Sequence, residues 1–157
     1  MTTPYGTTTF NYTSVDVPRR VTVTEPAGAK HQYAFFDFLA PSNIPLPFAS
    51  DQIPVIPVNI PVRTLDSSQV SRGEHNSFYW NPQQMAALNN RTDTEAFTWN
   101  ELKRGRITHW LLDTQNYANA IGHIQDPSPD GIAEGQVTWY DYAGKTPGSL
   151  QMAGTQI

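Results

Sequence analysis

The sequence contains no cysteine. Disulfides, thiolate metal sites and a cysteine nucleophile are therefore excluded. That suits the cytosol, and equally a bacterial secreted protein that folds without disulfides. Charge is also scarce, at 15% charged residues with a net charge of −4. A nucleic-acid binder needs a basic stripe and none is present, so no nucleic-acid partner is expected. No apolar run approaches the roughly 20 residues that a membrane-spanning helix needs, so no membrane span is expected. The start, MTTPYGTTTF, lacks the basic and apolar regions of a signal peptide; export would have to be encoded elsewhere or be non-classical. Hydrophobic residues make up only 38%, low for a compact globule.

What is abundant is turn chemistry. Thirteen Pro and ten Gly accompany many Thr, Asn and Ser, the profile of short strands joined by turns. Eighteen aromatics offset the shortage of aliphatics, because each ring buries a large area. A length of 157 residues fits one domain or a piece of a larger protein.

The chain is organised around 106–145. Ile107, His109 and Leu111 fall on one face of an extended segment, and Thr108, Trp110 and Leu112 on the other. Asp126-Pro127 and Asp130-Gly131 then punctuate the chain before a strand restarts at Val137. Upstream, Pro4-Tyr5-Gly6 is a turn followed by a strand over 7–12, with Phe10 and Tyr12 on one face. Strands over 19–25 and 30–38 flank the turn Glu25-Pro26-Ala27-Gly28 and make a hairpin. Val21 and Val23 are assigned inward, Thr22 and Thr24 outward.

Residues 40–62 place six prolines among large apolar side chains. Proline cannot donate to a strand ladder and pushes the preceding residue to extended geometry. The block reads as a polyproline-like insertion lying on an apolar surface. Ser77–Trp80 is a brief strand; Asn81-Pro82 starts a helix over 83–89. A second helix is predicted over 94–104 with Asp93 as its cap and Gly105 as its stop. The parts are thus 1–38 (β repeats), 39–76 (Pro-rich insertion and loop), 77–105 (short strand and helices) and 106–157 (hairpin, further strand and a tail that looks cut from a longer chain).

Three places share one logic, spaced strand aromatics beside an acidic residue and a glycine turn: Phe10-Asn11-Tyr12, the segment from Glu25 to Phe35, and Trp139-Tyr140-Asp141-Tyr142-Ala143-Gly144. On these residues the chain resembles the bacterial RHS/YD-repeat proteins. Tyr5-Gly6 through Phe10 and Tyr12 resembles the start of such a unit. Glu25-Pro26-Ala27-Gly28 resembles its turn, with Glu25 where the family has Asp. Trp139-Tyr140-Asp141-Tyr142-Ala143-Gly144 resembles the strand and turn that name the repeat. The resemblance implies a mostly β fold, a meandering antiparallel sheet of YD-type repeats forming part of a shell, with one or two short helices. It implies a structural role, enclosing or delivering a toxic C-terminal polypeptide within a larger protein. The implied partners are the remaining repeats and that enclosed toxin, and the implied location is secreted or cell-surface.

No catalytic residue, metal site or cofactor is expected, and the chain is not read as an enzyme. His31, His75, His109 and His123 lack ligand spacing; only His109 and His123 fall on adjacent strands. Asp130, Glu134 and Asp141 lie close in sequence, but Asp130 and Asp141 occupy turn positions suited to backbone bonding. The alternative to a shell is a β-sandwich carbohydrate-binding module. Its platform would be Trp80, Trp110 and Trp139, with Trp99 and the tyrosines, stacking on sugar faces.

Overall fold

A computed structural model describes residues 1–13, 19–36, 76–112, 118–140 and 142. The Pro-rich block, the tail, Asp141 and Gly144 lie outside the described residues. β1 (Thr2–Thr3) and β2 (Gly6–Thr7) form a small hairpin. β3 (Thr9–Thr13), β4 (Arg19–Thr24), β5 (Lys30–Phe36), β6 (Asn76–Trp80), β7 (Arg106–Leu112), β8 (Ala118–Gln125) and β9 (Val137–Trp139) form one antiparallel sheet in sequence order. Between β6 and β7 lie α1 (Pro82–Ala87), a 3-10 turn (Thr94–Ala96) and α2 (Trp99–Leu102). Among the described residues the fold is mostly β, a meander with two short helices.

Local chemistry accounts for most of these boundaries. The β4–β5 hairpin closes with Gly28 N–H donating to Glu25 O at 2.8 Å. Asn81 caps α1 reciprocally: its Oδ1 accepts from Gln84 N at 3.0 Å, while Gln84 Oε1 accepts from Asn81 N at 2.8 Å. Pro82 occupies the first turn, and Asn89 and Asn90, at φ 54° and 56°, end the helical run. The predicted helix over 94–104 is broken instead. Phe97 is extended, and Thr98 starts a separate short helix, its N–H donating to Glu101 Oε2 at 2.7 Å. Asp93 makes no side-chain cap; Arg91 takes its carboxylate at 3.0 Å.

The sheet is two-faced. Cross-strand partners Gln32/Trp80, Ala34/Phe78, Phe78/Ile107 and Asn76/His109 define the covered face. There Ala34, Phe78, Trp80 and Ile107 pack with Met85, Leu88, Phe97 and Leu102 from the helical segment. Trp80 is 0% exposed. Its ring lies parallel to Phe78 at 5.6 Å and edge-on to Phe97 at 5.5 Å, and its Nε1 donates to Glu101 O at 3.3 Å. The inward assignment of Val21 and Val23 is corrected. Thr22 pairs with buried Gln32 and donates to its Oε1 at 2.6 Å, so threonine takes the covered side. The valines pair with Tyr33 and His31 on the opposite face.

Gly105 abuts the core tryptophan: a Cβ there would fall 2.8 Å from Trp80 Cε2 and Nε1. Gly105→Ala is expected to destabilise by about 1–3 kcal/mol through overpacking. Trp80→Ala is expected to cost about 3–5 kcal/mol. Urea unfolding followed by far-UV circular dichroism checks both; a Gly105→Ala midpoint equal to wild type would contradict the packing described here.

Candidate functional site

The face opposite the helices carries an aromatic surface. Reading across it, Arg19, Phe35, Ser77 and Thr108 form one row of cross-strand partners, and Val21, Tyr33, Tyr79 and Arg106 the next. Tyr12 extends the second row onto β3. A groove of about 590 Å³ runs along these rows, walled by Tyr12, Arg19, Tyr33, Phe35, Tyr79 and Arg106. Phe10, Tyr12 and Tyr33 are 63%, 61% and 47% exposed. The Tyr33 and Tyr79 rings stack at 4.6 Å, and the Arg19 guanidinium sits 5.0 Å over the Phe35 ring.

A hydrogen-bonded relay borders the groove. His31 Nε2 lies 2.8 Å from Glu25 Oε1, and Nδ1 lies 2.9 Å from the Tyr79 hydroxyl. A carboxylate only accepts, so His31 carries a proton on Nε2. Burial, then the neighbouring Tyr33, push the Tyr79 phenol above its ordinary value. With the His31 proton on Nε2, Nδ1 is left to accept from the Tyr79 hydroxyl, and the relay fixes the orientation of both rings.

The residues of the sequence resemblance are only partly gathered. Gly6, at φ +122°, meets the 25–28 turn closely; a Cβ there would lie 2.6 Å from Pro26 Cβ. Tyr5 projects into solvent, 90% exposed. Phe10 and Tyr12 share the open face. Trp139 stands at the opposite end of the sheet, its ring 4.6 Å from His123. Tyr140 N–H donates to Gly122 O, and the Tyr142 hydroxyl donates to Ile121 O, both at 3.0 Å.

The tryptophan platform does not assemble on one surface. Trp80 is sealed under the helices and presents no face to a ligand. Trp110 is half-buried on the open face, its Nε1 donating to Ser77 Oγ at 2.9 Å. Trp139 shares the covered side with His123. The Trp99 side chain is outside the described residues. Tyrosines, with Phe35 and two arginines, make the exposed surface instead. Alternation along β5 and β6 put those rings on one face in the sequence, but only the register between strands lines them up.

Two of the acidic candidates, Asp130 and Glu134, are absorbed structurally. Asp130 accepts from Ile132 N at 2.7 Å and Ala133 N at 2.8 Å, bonds that hold its carboxyl below the usual range. Glu134 accepts from buried Lys103 Nζ at 3.0 Å and from Gln125 Nε2 at 2.6 Å. His109 and His123 are neighbours as expected, with rings stacked at 4.9 Å. Among the described residues no three potential ligands cluster for a metal, and no helix is long and apolar enough to cross a membrane.

Comparison of the chain with family models, with curated proteins and with solved structures returns no match.

The raised Tyr79 phenol gives a titration test. Its folded-state pKa lies above the unfolded value of about 10, so its contribution to stability is complete below that pH and is lost as pH rises through the folded pKa. Ultraviolet titration at alkaline pH should show one tyrosine ionising late. Tyr33→Phe, which removes the neighbouring phenol, should bring that ionisation to lower pH. An unchanged titration curve in the variant would remove Tyr33 as a cause.

Proposed function

We propose that this chain is a wall segment of an RHS/YD-repeat shell, a structural part of a larger toxin-type protein that encloses or delivers a toxic polypeptide. The observation that carries the reading is strand order: all seven strands pair with their neighbours in sequence, without a crossover. A sheet built that way grows by adding the next strand at either end. Among the described strands, β3 and β9 each lack a neighbour on their outer side. β3 also leaves Phe10 and Tyr12 largely exposed, as an interior strand of a wider sheet would before its neighbour is added. On this reading the partner strands are the remaining repeats, and the protein acts outside the producing cell or at its surface. A glycan platform on Trp80, Trp110 and Trp139 is disfavoured, because its three rings do not share an exposed face.

Two measurements test the reading. The coding sequence on both sides of this segment should continue into further Tyr-Asp-x-x-Gly repeats and a variable C-terminal region; neighbouring sequence without repeats would overturn it. By itself the chain should self-associate with rising concentration through its outer strands β3 and β9. Phe10→Lys combined with Tyr12→Lys should weaken that association in sedimentation velocity. A chain monomeric at all concentrations would count against the shell.

A further inference from the structure

We propose that the open aromatic face is the seat of the chain's own proline-rich block, residues 41–62. The inference does not rest on the shell reading, since a self-contained module could hold the same block on the same face.

Chain geometry supplies the first argument. Phe36, the last residue of β5, pairs with Asn76, the first of β6. Antiparallel neighbours need a connection of only about 2–5 residues, yet residues 37–75 separate these two. They leave and rejoin the sheet at one end, directly beside the row Arg19, Phe35, Ser77 and Thr108 that lines the groove. Reach is no obstacle. The seven strands span about 30 Å at the usual strand spacing, and 22 residues in polyproline geometry reach about 70 Å.

Chemical match supplies the second. The block alternates Pro41, Pro45, Pro47, Pro54, Pro57 and Pro61 with Ile, Leu, Val and Phe, and Asp51 is its single charged residue. A segment so apolar gains by leaving water. Its prolines restrict the extended conformers it must choose among, which lowers the entropy lost on docking. Flat aromatic side chains on a grooved surface are what extended proline-rich segments bind, and Tyr12, Tyr33, Phe35 and Tyr79 supply them. Tethering within one chain raises the block's effective concentration to the order of millimolar, so it outcompetes a dilute ligand of similar affinity.

The test places the photoreactive amino acid p-benzoylphenylalanine at Tyr33 in the full-length chain, at Tyr12 in a second variant, and at exposed Ile132 as a control. After irradiation, mass spectrometry maps the crosslinks. The expected result is crosslinking within one molecule to residues 41–62 from positions 33 and 12 and not from 132. Irradiation is carried out at a dilution where sedimentation velocity shows a monomer; crosslinks to other parts of the same chain then overturn the proposal, as does the absence of crosslinks at both positions in a chain whose circular dichroism matches wild type. In a separate experiment, a variant with 41–62 replaced by a Gly/Ser linker of equal length should bind a synthetic 41–62 peptide, with chemical-shift changes at Val21, Tyr33 and Tyr79. A folded linker variant that does not bind the peptide at millimolar concentration also overturns it. Failure here leaves the shell reading standing, because that reading is judged by the flanking repeats and edge association.

Discussion

The larger core on the covered face is arranged around the ring of Trp80. It is the point where β6, the helical segment and the start of β7 meet. Phe78 lies along one side and Phe97 meets it edge-on. The Glu101 carbonyl takes its only polar hydrogen, and Gly105 lets the chain pass close enough to begin β7. With so few aliphatics in the sequence, one large ring does the work that several leucines would do elsewhere. That concentration has a structural consequence. α1 and α2 are too short to be stable alone, so their order derives from packing onto this ring and its neighbours.

Register follows from the same face. One cross-strand row runs Ala34, Phe78, Ile107, Gln125 and Val137; the next runs Asn76, His109, His123 and Trp139. His109 Nδ1 lies 3.1 Å from Asn76 Oδ1, an acceptor, which fixes that proton on Nδ1. A slip of one residue would turn each row to the opposite side, exposing Phe78 and Ile107 and burying Arg106. The row with Ala34, Phe78 and Ile107 resists that slip by buried area, and the row with Asn76 and His109 resists it by hydrogen-bond geometry. The bulges in the β7–β8 pairing fall after His109 and after Leu111. They restore alternation, so that Leu111 and Ala120 remain on the covered side where Tyr142 packs.

Much of this was legible in the residues. The Asn81-Pro82 helix start, the Glu25–Gly28 turn, the alternation of Ile107, His109 and Leu111 and the pairing of the two histidines follow from local rules that neighbours in sequence enforce. What escaped depended on distant partners. Val21 and Val23 look like core residues by hydropathy, but Thr22 faces Gln32 and bonds it, so the sheet turns the valines to the other side. The helix expected over 94–104 has good propensity. Phe97 instead turns extended to reach Trp80, and Arg91 draws Asp93 away from the cap. The candidate tryptophans were chosen for ring size, yet size is the reason Trp80 is buried. The tyrosine groove was invisible as a unit because its rings come from three strands and share a surface only through register.

The distribution of cover bears on what kind of object this sheet is. Among the described residues, the helix-packed core draws its strand residues from β5, β6 and β7. β3 and β4 on one wing contribute Thr9, Asn11, Thr22 and Thr24 to the same face, and none of these is buried. The other wing relies on the smaller Leu111 and Ala120 cluster. A closed sandwich needs a second layer across the full width, with apolar residues on both wings to meet it. On the β3–β4 wing the covered side is polar and the open side carries Phe10 and Tyr12, while the β8–β9 wing places Val137 and Trp139 on the covered side. Among the described residues the contacts of β3 are made chiefly with β4, whereas the β7–β8 wing also packs against Tyr142. Among the described residues the sheet thus runs in sequence order, is capped at its centre by the helical segment, and keeps its aromatic rows on the face opposite that cap.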